Sequence, residues 1–190
     1  MNYSIYAEST PNPGVMKFVA NRMLADKSIE ITEAEQAKDI SVAKALFNFP
    51  FVKSLYISSN FISISKTDNV EWDMIAMQLR NFITDFLNEE GLKNYTENIT
   101  EEEIIKKEVT IEKNSTKIDF TDKEKAIIDL LNEYIKPAVE ADGGAITFNS
   151  YIGDVVTVNL KGACSGCPSA TSTLKGGIES LLNQKVDPNI

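Results

Sequence analysis

The chain has 190 residues, a formal net charge of -9, no histidine and only two cysteines. Its length fits one ordinary domain or two small ones, and its 43% hydrophobic and 25% charged residues are the proportions of a folded globular protein. The acidic balance leaves no basic stripe to neutralise a nucleic-acid backbone, and the lack of histidine removes His-containing zinc sites, Ser-His and Cys-His nucleophile pairs and the usual general base.

Residues 3–5 and 15–20 read as strands around the turn signal Thr10-Pro11-Asn12-Pro13-Gly14, and residues 29–32 as a third. Ser41 is placed to cap a short helix over 42–47, which Pro50 follows. Residues 52–57 and 61–65 alternate apolar and polar positions, which predicts a hairpin with one buried face and Ser58-Ser59-Asn60 as its loop. Over 71–87, Trp72, Ile75, Ala76, Leu79, Phe82, Ile83, Phe86 and Leu87 fall on one helical face, a stripe that reads as core and not as a ligand box. Asp68 or Asn69 is placed to cap it, and Gly91 lies past its end.

Residues 89–120 are rich in Glu, Lys, Asn and Thr and read as a charged linker, with Ile104, Ile105, Val109 and Ile111 leaving room for a transient helix or strand. After it, Thr121 is a candidate cap for a helix from about Asp122 whose inner face holds Ala126, Ile127, Leu130, Leu131 and Tyr134. Pro137 is expected to kink that helix or mark its last turns. Ala141-Asp142-Gly143-Gly144 is a stop and turn, followed by strands over 145–149 and 155–160 joined around Gly153-Asp154, and a last helix spans about 169–183. Asp142 reads as a turn-forming carboxylate.

Both cysteines lie between the last strand and the last helix, in Gly162-Ala163-Cys164-Ser165-Gly166-Cys167-Pro168. Pro168 suits the first position of a helix, so the thiols precede a helix N-terminus, where free amides and the positive dipole end favour thiolate. Three readings follow. Two inert thiols could fill a turn, although the loop offers them few apolar neighbours. A dithiol-disulfide exchanger shares the strand, Cys-x-x-Cys, helix layout but needs further strands beyond the active-site helix, and about seven residues remain after Asn183. A metal site is the third: two thiolates are half of a tetrahedral zinc or iron-sulfur ligand set, and two copies of the loop facing across a two-fold axis would supply four.

The combination Glu140-Ala141-Asp142-Gly143-Gly144, two strands, then the glycine-rich Cys-x-x-Cys with Pro168 after it strongly resembles the C-terminal domain of NifU and the Nfu-type iron-sulfur cluster scaffold and carrier proteins. Thr10-Pro11-Asn12-Pro13 ahead of Met16-Lys17-Phe18, Ala43-Lys44-Ala45-Leu46-Phe47, and the hairpin before Trp72-Asp73 are similar to the Nfu N-terminal domain. The resemblance implies that Cys164 and Cys167 of two chains hold a bridging [4Fe-4S] cluster, received or assembled and then passed to apo-proteins. Lys161 and Lys175 flank the loop and read first as surface lysines, with a charge-offsetting role toward a cluster as the functional alternative. The family commonly continues into a last strand after the final helix, a pattern from which Val186-Asp187-Pro188-Asn189-Ile190 departs.

The expectation is therefore an α+β chain of two small α/β domains, 1–88 and 121–190, joined by the linker 89–120. It is a non-enzymatic cluster carrier acting as a homodimer, with Cys164 and Cys167 as the cofactor and metal ligands, and with an upstream cluster donor and apo iron-sulfur clients as partners. A thiol-disulfide redox protein and a zinc-binding interaction module are the alternatives. The opening residues MNYSIYAE lack a basic start and an apolar run, and no stretch of about 18 apolar residues exists to span a bilayer. A cytoplasmic protein with no membrane or nucleic-acid partner is expected.

Overall fold

A computed structural model describes residues 2–89, 120–165 and 168–190, of which 168–171 by their backbone. The first unit is a five-stranded antiparallel sheet, β1 (Ile5–Ser9), β2 (Val15–Ala20), β3 (Ala25–Ile31), β4 (Val52–Ser59) and β5 (Phe61–Lys66), in the order β1-β2-β5-β4-β3. Helices α1 (Ser41–Leu46) and α2 (Trp72–Glu89) complete it. Strand pairing puts Phe18 opposite Ile62, and Ile62 opposite Ile57. These residues share one face, and they join Val42, Ala43 and Leu46 of α1 and Ile75, Leu79, Ile83 and Leu87 of α2 in a single core. The apolar stripe expected on α2 is thus core, with Trp72, Phe82 and Phe86 at its margin.

Local chemistry fixes the connections. Thr10 Oγ1 donates to the carbonyls of Asn12 and Val15, each at 2.9 Å, while Asn12 Oδ1 accepts from Gly14 N at 3.0 Å, which closes the first turn. The β4–β5 hairpin turns more tightly than expected: β4 runs on to Ser59, which adopts a positive φ of 47°, and Asn60 alone separates the strands. The first strand is Ile5–Ser9 and not 3–5, because its partner β2 offers ladder positions from Met16 to Ala20. Ser41 opens α1 without a side-chain cap; Ile40 is the preceding extended residue.

The second unit runs α3 (Asp122–Leu130), a π-turn (Leu131–Ile135), α4 (Lys136–Ala141), β6 (Gly144–Ile152), β7 (Val155–Gly162) and α5 (Pro168–Lys185). Thr121 caps α3 in a full capping box with Glu124. Pro137 has no N-H to give and its ring crowds the carbonyl four residues back, and the helix answers with the wider π-turn. Ile127, Leu131 and Val139 are buried, and Ala126 and Tyr134, expected inside, are exposed; the turn shifts the helical phase only from Leu131 onward. Gly153 and Asp154, at φ 56° and 64°, make the two-residue turn between β6 and β7. Ile127, Leu131, Val139, Ile146, Cys164, Ile178 and Leu182 form the second core. Among the described residues no strand follows α5; residues 186–190 fold back instead, with Lys123 ion-paired to Asp187.

The expected linker falls almost entirely on residues 90–119, outside the described residues.

Candidate functional site

Strand β7 ends at Gly162, and the chain turns through Ala163, Cys164 and Ser165 before α5 begins at Pro168. Ala163 N donates to Gly143 O at 3.1 Å and Ser165 N to Gly162 O at 3.0 Å, so the turn is tied to the Asp142-Gly143-Gly144 corner at the start of β6. Cys164 is 4% exposed and belongs to the second core. Its sulfur packs against Gly144: a Cβ placed on that glycine would stand 2.8 Å from Cys164 Sγ and 2.7 Å from Lys161 O. The second glycine of the turn is therefore a seat for the thiol, a reason the sequence signal alone did not supply.

Of the two predicted ligands, the structure places Cys164 in this turn ahead of the α5 N-terminus; Cys167 lies outside the described residues. Lys161 and Lys175 are exposed, as is Asp142, whose backbone N-H donates to Ala138 O at 3.0 Å where α4 ends. Among the described residues no group of three or more His, Cys, Asp or Glu could hold a metal ion, and no helix is long and apolar enough to cross a membrane.

Sequence reasoning missed the residues of the first unit that meet this corner. Asn12 Nδ2 donates to Ala163 O at 3.0 Å, and Glu30 Oε1 accepts from Gly162 N at 3.0 Å. Ser63 Oγ donates to Gly143 O at 2.6 Å, and Lys17 Nζ donates to the carbonyls of Glu140 at 3.1 Å and Ala141 at 2.9 Å. Those last two carbonyls end α4, so Lys17 serves as a cationic cap brought from another part of the chain. Glu8 at 3.7 Å and the Phe61 ring, 4.6 Å from Nζ, complete the ammonium's surroundings. Lys17, Val19, Tyr56, Phe61 and Ser63 share the sheet face turned away from α1 and α2, and Val19, Tyr56 and Phe61 form an apolar cluster with Ala145. Both faces of β2, β4 and β5 are buried for this reason. Apolar Val19, Tyr56 and Phe61 on a face expected to be wet were the available signal.

Comparison with known proteins gives the class. Residues 5–90 match the family model described as scaffold protein Nfu/NifU N terminal, and residues 127–190 match the NifU-like domain. The chain belongs to the NifU-like, Nfu-type family of iron-sulfur cluster scaffold proteins. It is 33% identical over 182 residues to "NFU1 iron-sulfur cluster scaffold homolog, mitochondrial" of Drosophila willistoni, covering 94% of this chain and 58% of that one. It is 31% identical over 183 residues to "NifU-like protein 5, mitochondrial" of Arabidopsis thaliana, covering 94% and 62%. The chain thus spans about three fifths of the length of these relatives. The solution structure of a NifU-like protein from Saccharomyces cerevisiae aligns with a TM-score of 0.45 at 27% identity, covering 50% of this chain and 87% of that one. One expectation is corrected: a cytoplasmic protein was expected, and the relatives it matches are named as mitochondrial proteins.

Proposed function

We propose that the chain carries an iron-sulfur cluster, held by the Cys164 and Cys167 thiolates of two chains as a shared [4Fe-4S] unit and surrendered to apo-proteins. The supporting observation is the position of Cys164, in a turn framed by glycines, directly ahead of a helix N-terminus, within the segment that matches the NifU-like domain. With no histidine in the chain, the thiolates are its soft ligands, and a second copy supplies the missing pair. The cluster is cargo and not a resident reagent, so no reaction is catalysed. Incoming client thiolates replace the protein's own one at a time, a sequence that a site shared between subunits favours. On this reading residues 1–88 and 121–190 are separate domains, with 89–120 a linker that lets the second domain meet its copy.

The test is anaerobic reconstitution of the purified chain with iron and sulfide, measuring iron, acid-labile sulfide and particle mass together. About four irons and four sulfides per dimer are expected, lost in both Cys164→Ala and Cys167→Ala. A stable monomer without iron, holding zinc or a reversible disulfide, would overturn the carrier reading.

A further inference from the structure

Asn12, Lys17, Glu30 and Ser63 of the first unit bond to main-chain groups of the cysteine corner: the carbonyls of Glu140, Ala141, Gly143 and Ala163, and the amide of Gly162. All lie in the segments that frame Cys164. Lys17 and Ser63 are 8% and 2% exposed, so these bonds are made in a desolvated contact, where lost partners are costly. Tyr56 closes over the same corner; a Cβ on Gly162, which sits at φ 64°, would stand 2.8 Å from Tyr56 Cδ1. That glycine accommodates both its own backbone conformation and the approach of the other unit.

We propose that the outer face of the β2–β5–β4 sheet is a clasp for the cysteine loop, which holds Cys164 turned into the second core and whose release lets the thiol turn out toward a ligand. The Ala163 carbonyl and the Cys164 nitrogen belong to one planar peptide. Swinging Cys164 outward rotates that plane and carries the carbonyl away from Asn12 Nδ2, and the amide of Gly162 is pinned one residue earlier by Glu30. Access to the thiol is thereby coupled to docking of the N-terminal sheet. A contact built on side chain to main-chain hydrogen bonds exchanges them for water on opening, so it is suited to reversible release. The identity of the ligand rests on the carrier reading; the clasp itself does not.

The experiment uses the metal-free full chain carrying Cys167→Ala, so that Cys164 is the reporting thiol. Its rate of reaction with an aromatic disulfide reagent is compared with that of the same chain carrying Asn12→Asp. The aspartate keeps the oxygen that accepts from Gly14 N and replaces the donor facing Ala163 O with a second oxygen. An increase of about tenfold is expected, the loss of roughly one buried hydrogen bond. In the unmodified chain the Gly162 amide is expected to exchange slowly with solvent, and to speed up in Glu30→Ala. Equal thiol rates in two folded chains would overturn the clasp. So would exchange of the Gly162 amide at the rate of an exposed peptide in the unmodified chain, a readout that stands even where a variant does not fold. Failure to bind iron would bear on the carrier reading and would leave both rates unchanged.

Discussion

Gly144 and Gly177 illustrate opposite uses of the same residue. A methyl on Gly144 meets Cys164 Sγ and, at 2.7 Å, the Lys161 carbonyl, a backbone atom that cannot swing aside. Gly177 is an exposed residue of α5 with nothing within 4 Å of the position a Cβ would take. Gly144→Ala is therefore expected to destabilise the second unit by about 1–3 kcal/mol through overpacking. Gly177→Ala is expected to stabilise it by about 0.5–1 kcal/mol, because alanine loses less freedom on entering a helix. Urea unfolding followed by far-UV circular dichroism distinguishes the two; equal signs would contradict this account of the cysteine seat. The sequence displayed both glycines equally plainly. What separates them is what lies across the turn, which no local pattern encodes.

Among the elements, the second unit's helices are anchored at their ends. The Thr121 side chain and backbone exchange bonds with Glu124, so Thr121→Ala is expected to cost about 1 kcal/mol in urea unfolding, with the first unit unaffected. At the other end, the Lys123 hydrogen bond and then the Asn189 backbone amide hold the Asp187 carboxyl below its ordinary value of 3.8. The Asp187 hydrogen bond in turn raises Lys123 above 10.5. A depressed carboxylate contributes stability above its unfolded pKa and loses it as pH falls through the folded one; a raised lysine contributes below its unfolded pKa and loses it as pH rises through the folded one. The clamp on the chain's last residues is thus complete from above about 3.8 to about 10.5. An NMR titration should find the Asp187 midpoint below 3.8 and, in Lys123→Met, shifted most of the way back, with the Asn189 amide keeping it slightly low. The Thr121 anchor is local, and it was legible as a cap from its own letters. The Lys123–Asp187 pair, 64 residues apart, was not.

At the scale of the molecule, periodicity revealed the elements because each buries one face against its own unit: the α2 stripe and the paired strands followed directly. It did not reveal that the sheet's other face is also covered, since Lys17 and Ser63 are polar letters in the positions of a wet face and their partners are carbonyls, which carry no side-chain signature. The phase shift at Leu131–Ile135 escaped for a similar reason: a proline announces a lost hydrogen bond but not how the helix will absorb it. The docked face has a thermodynamic consequence. Among the described residues the second core gathers seven buried side chains and the first twenty, so the second unit is expected to unfold first, forfeiting the contact as it does. Lys17→Met keeps the aliphatic stem and removes the donors to Glu140 and Ala141. It should therefore lower the first thermal transition and leave the second, that of an already undocked N-terminal unit, where it was. Hydrogen bonds from a charged donor are worth about 1.5–3 kcal/mol. For a unit of this size each kcal/mol moves the midpoint by roughly 4–8 °C, so calorimetry should resolve a downward shift of at least about 5 °C in the lower transition alone. Equal displacement of both transitions would mean that Lys17 stabilises its own sheet and not the contact, and the asymmetry between the two cores is what makes the two outcomes separable.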